Sequence, residues 1–250
     1  PSLGREFDTL AETFNELAHR LDRVETIRRR MLGDLAHEMR TPLATLDAHL
    51  EALEDGVREL DPPTLAVLHA SSHRLGRLAE DITAVSLAQE GAIEIRTVPT
   101  APRQLTAAAV RATGDRYTSK EVKLTEDVTA DVQVDVDPER MAQILGNLLD
   151  NALRHTPPKG EVRLAARTVG DQVEFVVTDT GEGIAPEHLP YVFYRFYRVD
   201  TARSRDRGGS GIGLTVTKAL VQAHGGRISV QSAGPGHGAT FTVTLPAATS

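Results

Sequence analysis

The chain has 250 residues, 40% of them hydrophobic, enough for a sizeable core and for one large or two ordinary domains. It contains no cysteine, which excludes disulfides and thiolate metal sites, and its formal charge of −7 with no dense basic cluster argues against a nucleic-acid surface. No apolar run reaches transmembrane length, no stretch reads as a signal peptide, and the opening on Pro1 rather than Met suggests part of a longer protein.

In residues 1–27, Phe7, Leu10, Phe14, Leu17, Leu21 and Val24 recur at spacings of three and four, the stripe of an amphipathic helix. A second stripe, Leu32, Ala36, Met39, Leu43, Leu46, Leu50, Leu53 and Val57, alternates four and three, as the seam of a coiled-coil-like bundle does. The phase slips between Val24 and Leu32, and such a discontinuity locally alters supercoil winding. In the second register His37 follows the seam residue Ala36 and points outward beside the core, offered to something that arrives from outside. Glu38 is its sequence neighbour, and Thr41 lies one turn on along the same face. Pro42 removes a backbone donor and is expected to bend the helix just past this point.

This helix is expected to stop near Gly56 to Glu59. Leu60-Asp61-Pro62-Pro63 then reads as a turn, and Thr64 as the start of a return helix. On the return, Leu65, Leu68, Ser72, Leu75, Ala79, Ile82 and Ser86 take the inward positions. Two antiparallel helices bury only part of their apolar faces, so a second copy, giving four helices, is expected to complete the core. His69 and His73 stand at i, i+4 but lack a third ligand, so a metal site is not expected there.

After Gly91 the pattern changes to short β-like runs between helices. Strands are predicted at Ile93 to Val98, Val132 to Val136, Val162 to Ala166, Val173 to Val177, Ile228 to Val230 and Phe241 to Leu245. Helices are predicted at Pro102 to Thr113, Pro138 to His155 and Leu214 to His224. Asp137-Pro138 supplies an N-cap with an N1 proline, and Gly225-Gly226 ends the last helix. On the middle helix Met141, Ile144, Leu145, Leu148 and Ala152 form the buried face, and Asn147, Asn151 and His155 share a flanking row. Asp179-Thr180-Gly181-Glu182-Gly183-Ile184 follows a strand, its glycines allowing close backbone approach to a ligand. Gly208-Gly209-Ser210-Gly211-Ile212-Gly213-Leu214 opens a helix and makes an anion site of its backbone N–H groups; it fits neither a dinucleotide fingerprint nor a Walker loop.

Ala36-His37-Glu38-Met39-Arg40-Thr41-Pro42-Leu43 resembles the phosphoacceptor box of bacterial two-component sensor histidine kinases. Asn147 to Thr156 resembles the asparagine box of the gyrase-type ATP-binding fold, and Gly236-His237-Gly238-Ala239-Thr240-Phe241 its closing box. Phe193-Tyr194-Arg195-Phe196-Tyr197-Arg198 resembles the phenylalanine box, before a basic, glycine-ended lid. Residues 6–17 resemble the second helix of a HAMP signal relay.

The resemblance implies an α+β chain in three parts. Residues 1–27 would be a HAMP-like relay helix, and 28–91 an antiparallel helical hairpin forming a dimeric four-helix bundle. Residues 92–250 would be an α/β sandwich ATP-binding domain of the Bergerat type. It further implies ATP and Mg²⁺ as cofactors, with Asn151 and Asn147 holding the metal and Arg154 and His155 continuing that site. Asp179 would accept from the adenine amine between Gly181 and Gly183. Gly209, Ser210, Gly211, Ile212, Gly213 and Leu214 would cradle the triphosphate, Arg195 or Arg198 would touch its γ-phosphate, and the Thr240 hydroxyl would help hold the site. His37 would accept the phosphoryl group, with Glu38 orienting the ring or taking its proton. Thr41 would position water for dephosphorylation of a response regulator. The implied partners are a second copy through the hairpin and a regulator's receiver domain, with no direct nucleic-acid contact. Membrane contact would come only through missing N-terminal segments, making this the cytoplasmic portion of a bacterial inner-membrane protein. Two other readings are a gyrase-type ATP-driven clamp, which needs a Glu where Asn147 stands, and a non-catalytic dimeric scaffold.

Overall fold

The computed structural model describes residues 33, 36, 39–89, 94–194, 197 and 212–248, with backbone alone at 73, 74, 77, 78 and 80–89. The stripe around Leu46 forms helix α1, continuous over 39–54 and running through Pro42, and it ends in a turn at 55–58 as predicted. Helix α2 spans Pro62–Gln89 and so starts two residues earlier than Thr64. The Asp61 carboxylate accepts from the Thr64 N–H at 2.8 Å, which caps the helix. Pro62 and Pro63 then sit in the first turn, where a missing donor costs nothing. Hydrogen bonds from Thr64 also hold the Asp61 carboxyl below the usual carboxylate range.

On α2, within one copy, Thr64 and Ser71 are buried, Leu68 and Leu75 half-buried, and Leu65, Ser72 and Ala79 exposed. Within one copy the leucine stripe is only partly covered: Met39 is 45% exposed, Leu43 51% and Leu50 48%. One neighbouring helix covers a single flank of such a stripe. No described helix is long and apolar enough to cross a membrane. The chain divides into two compact units, Pro1–Leu78 and Ala79–Ser250, with the division inside α2.

The second unit runs β1 (Val98–Thr100), α3 (Pro102–Ser119), β2 (Lys123–Val128), β3 (Val134–Val136), α4 (Pro138–His155), β4 (Glu161–Val169) and β5 (Gln172–Asp179). A 3₁₀ turn at Leu189–Tyr191, α5 (Gly213–Ala223), β6 (Arg227–Gln231) and β7 (Thr240–Pro246) complete it. Strands β1 and β3 pair antiparallel on their own. Of the run predicted from Ile93, the described residues 94–97 lie outside any strand and Val98 begins one, where it pairs with Val136. The main sheet has the order β2-β4-β5-β7-β6, parallel between β2 and β4 and antiparallel elsewhere. It is the mixed sheet the sequence implies, with one strand, β2, that the sequence reading omitted.

Alternation along the strands sends one side chain in two to each face. Val162, Leu164 and Ala166 of β4, Val173, Phe175 and Val177 of β5, and Phe241, Val243 and Leu245 of β7 are buried. They face α3, α4 and α5, which contribute Tyr117, Met141, Leu145, Leu148, Val216 and Leu220 to the same core. The opposite face is polar: Arg167 pairs with Glu174 at 2.7 Å, and Arg163 with Asp127. Asp179 is the last residue of the inward row on β5, so a carboxylate ends a line of Val and Phe.

Candidate functional site

Helix α4 carries the site. Its N-cap is set by the Asp137 carboxylate, which accepts from Glu139 N at 3.0 Å and Arg140 N at 3.2 Å. Burial of Met141, Ile144, Leu145, Leu148, Leu149, Ala152 and Leu153 fixes its rotation. The flanking row is thereby turned to the open side, with Asn147 and Asn151 half-buried and His155 exposed. At one end of the row Asn147 Nδ2 donates to the Gly213 carbonyl at 3.3 Å and lies 3.4 Å from Thr217 Oγ1. Gly213 opens α5, after buried Ile212 and before half-buried Leu214. With the amide nitrogen so engaged, Asn147 Oδ1 is the atom that can meet a cation. At the other end, Glu182 N donates to the His155 carbonyl at 3.1 Å, and Glu182 Oε2 lies 3.4 Å from His155 Nδ1. Arg154 is exposed, and its carbonyl accepts from Lys120 Nζ at 3.0 Å.

Asp179 is buried beside this end. Its Oδ1 accepts from Gly181 N at 2.8 Å and from Ala239 N at 3.3 Å, and no described residue bonds Oδ2. Burial pushes the carboxyl above its ordinary value; the two backbone donors and nearby His155 pull the other way without cancelling it. An acceptor fixed by its rear oxygen and raised by burial is suited to a neutral amine donor. Two glycines let the surrounding turns close. Gly183 has φ +70°, and a Cβ there would overlap the Gly234 carbonyl; Gly238 has φ +67°, and a Cβ there would overlap the Asp179 carbonyl. Gly236 N donates to Glu182 O at 2.6 Å and Gly238 N to Gly181 O at 3.1 Å, which ties the two turns together.

Thr240 is not brought to this group. Its hydroxyl is 3.2 Å from that of Thr178, on the polar face of the sheet. Strand alternation puts its neighbour Ala239 beside Asp179 instead, so the expectation that the Thr240 hydroxyl helps hold the site is corrected. The motifs give no role to Ala239, which acts through its backbone N–H, or to Ser232, whose hydroxyl bonds backbone groups, and neither leaves a periodic signal; the Ser-Ala-Gly-Pro-Gly cluster at 232–236 is the available clue. Thr41 is exposed on α1, in the other unit. His37, Glu38, Arg195, Arg198, Gly209, Ser210 and Gly211, and the relay helix read in 1–27, lie outside the described residues.

Residues 27–91 match the family model for the His kinase A (phospho-acceptor) domain. Residues 136–249 match that of the histidine kinase-, DNA gyrase B- and HSP90-like ATPases. The chain belongs to the sensor histidine kinases. Like other sensor kinases it has long relatives: BaeS of Escherichia coli K12, a signal transduction histidine-protein kinase, is 36% identical over 246 residues. That match covers 98% of this chain and 52% of BaeS, so the chain spans about half the length of this relative. Among solved structures, the histidine kinase AdeS of Acinetobacter baumannii superposes with a TM-score of 0.68 at 26% identity, covering 84% of this chain and 97% of that one. Full-length ShkA in complex with AMPPNP gives a TM-score of 0.66 at 28% identity, covering 88% of this sensor kinase and 46% of ShkA.

The donor set around α4 suits a hard cation. Asn147 and Asn151 offer neutral amide oxygens, and the described residues contain no group of three His, Asp or Glu placed to hold a metal. Mg²⁺ characteristically takes few protein oxygens and fills its shell with phosphate and water.

Proposed function

We propose that this chain is the cytoplasmic portion of a membrane-anchored sensor kinase that phosphorylates itself on His37 with MgATP and passes the phosphoryl group to an aspartate of a response regulator. Residues 1–27 relay the signal, 28–91 dimerise and carry His37, and 92–250 bind the nucleotide. The observation that carries the reading is the buried Asp179 carboxylate, held by Gly181 and Ala239 beside the row Asn147, Asn151 and His155. The AMPPNP held by ShkA supports a nucleotide there.

In this account Asp179 Oδ2 accepts from the adenine exocyclic amine. Guanine presents an oxygen at that position, so a carboxylate rejects it. Asn151 and Asn147 hold the metal, which when bound neutralises phosphate charge. Arg154 and His155 flank it. Gly209 to Leu214 cradle the triphosphate, and Arg195 or Arg198 meets the γ-phosphate. A neutral ring nitrogen of His37 attacks the γ-phosphorus in line and ADP leaves. The ring proton goes to Glu38, and the N–P bond formed is a phosphoramidate. Catalysis is mainly positioning and charge neutralisation. Thr41, one turn along, positions water for the reverse task of dephosphorylating the regulator. The gyrase-type clamp is disfavoured because the Asn147 amide, which donates to Gly213, cannot serve as a base for water.

A fluorescent ATP analogue titrated with and without Mg²⁺ tests the site. N151A is expected to lose roughly ten-fold in Mg²⁺-dependent affinity and N147A less, because the Asn147 amide is already engaged by Gly213. Equal affinities for both variants and the parent would count against metal ligation by this row.

A further inference from the structure

The two turns that enclose Asp179 share one side chain that no motif assigns. Ser232 Oγ accepts from Ile184 N at 2.9 Å and from Gly234 N at 3.3 Å, and donates to the Gly238 carbonyl at 2.6 Å. A serine hydroxyl has one proton and two lone pairs, so these three bonds use it completely, the Gly234 carbonyl at 3.4 Å being the longer of two acceptors for its one proton. The partners are spread over both turns. Ile184 ends the segment Asp179 to Ile184, while Gly234 and Gly238 belong to the turn before β7. The two backbone cross-links, Gly236 to Glu182 and Gly238 to Gly181, run beside this hydroxyl. Gly238 also precedes Ala239, whose N–H holds Asp179 Oδ1, and it packs where a Cβ would overlap the Asp179 carbonyl. Ser232 therefore fixes the strand end that orients the carboxylate, without touching a ligand itself.

We propose that Ser232 is a positioning residue for base selection: its hydroxyl sets the angle of the Asp179 carboxylate and so the preference for adenine over guanine. This rests on the reading that Asp179 meets the adenine amine. Replacing Ser232 with Ala leaves the Ile184 N–H and the Gly238 carbonyl without their side-chain partner. The two turns are then free to shift, and Ala239 with them. Loss of one such link at a site built to bond a polar group predicts a drop of roughly ten-fold in ATP affinity. GTP, which gains nothing from Asp179, is expected to change little, so the ATP-to-GTP affinity ratio narrows by about the same factor.

The test is equilibrium binding of Mg-ATP and Mg-GTP to the full chain, parent and S232A, with thermal unfolding run in parallel. General loosening of the fold weakens both nucleotides together, whereas the positioning role weakens ATP selectively. S232T, which keeps the hydroxyl, is expected to retain the parent's ratio. If S232A fails to fold, S232C takes its place; its weaker bonds predict a ratio narrowed by a few-fold. A folded S232A or S232C with the parent's ratio overturns the inference. A parent that does not distinguish ATP from GTP instead overturns the underlying reading of Asp179.

Discussion

Asp179 sets two demands against each other within a single residue. Its Oδ1 bonds to Gly181 and Ala239 hold the turns together, yet burial makes its charge costly and raises its pKa. A carboxylate whose folded pKa is raised contributes most to stability below the ordinary value near 3.8, and loses that contribution as pH rises through the raised value. D179N keeps an oxygen for both backbone donors and removes the buried charge. Its unfolding temperature relative to the parent should therefore climb as pH goes from below the carboxylate range to neutrality, with the nucleotide-free protein equal to or above the parent at pH 7. The same change puts an N–H where the adenine amine also donates, so ATP affinity should fall roughly 10- to 100-fold. A calorimetric series over pH together with an ATP titration would separate these effects; D179N that is less stable at pH 7 and binds ATP normally would contradict both assignments.

Among the elements, α4 was the most legible. Asp137-Pro138 gave its start, the spacing of Met141, Leu145 and Leu148 its buried face, and its limits fall at Pro138 and His155 as predicted. Helix α3 was read short, ending at Thr113 before Gly114, because glycine in a helix costs about 1 kcal/mol relative to Ala. The helix continues to Ser119, since Tyr117 beyond it is buried and donates its hydroxyl to the Leu149 carbonyl at 2.7 Å. Strand β2 was not legible at all: Lys123, Glu126 and Asp127 mask its alternation, and Glu126, exposed at this end of the sheet, accepts from the Thr106 hydroxyl of α3 at 2.6 Å. Thr240 shows the same limit within the site, where a one-residue step along a strand exchanges Ala239 for a hydroxyl. Lys120, just past α3, donates to the Leu153 and Arg154 carbonyls at 2.6 and 3.0 Å and so caps the C-terminus of α4. K120M should cost about 1 kcal/mol of unfolding free energy, read from denaturant midpoints. It should also weaken ATP binding by a few-fold, because the freed helix end carries His155. A variant with the parent's midpoint would show that solvent satisfies those carbonyls equally well.

The whole molecule depends on what covers the stripe of α1. Met39, Leu43 and Leu50 are each close to half exposed in one copy. A second hairpin packed against them gives the four-helix bundle that the reading of 28–91 requires. L43E introduces two charges per dimer and forfeits two buried leucines, each contributing about 1.5–3 kcal/mol. The dimer dissociation constant should rise by at least roughly 100-fold, seen as monomer by light scattering at micromolar concentration, while nucleotide binding persists. A parent chain that is itself monomeric at that concentration would leave the stripe unexplained by self-association.

The central claim concerns one bond, between a ring nitrogen of His37 and phosphorus. The chain is incubated with γ-labelled MgATP, and the labelled protein is divided between acid and alkali. The account predicts label that acid removes and alkali spares, as for a phosphoramidate, and its loss in H37Q with ATP affinity intact. Label that survives acid, persists in H37Q, or moves to His49, His69 or His73 would contradict it.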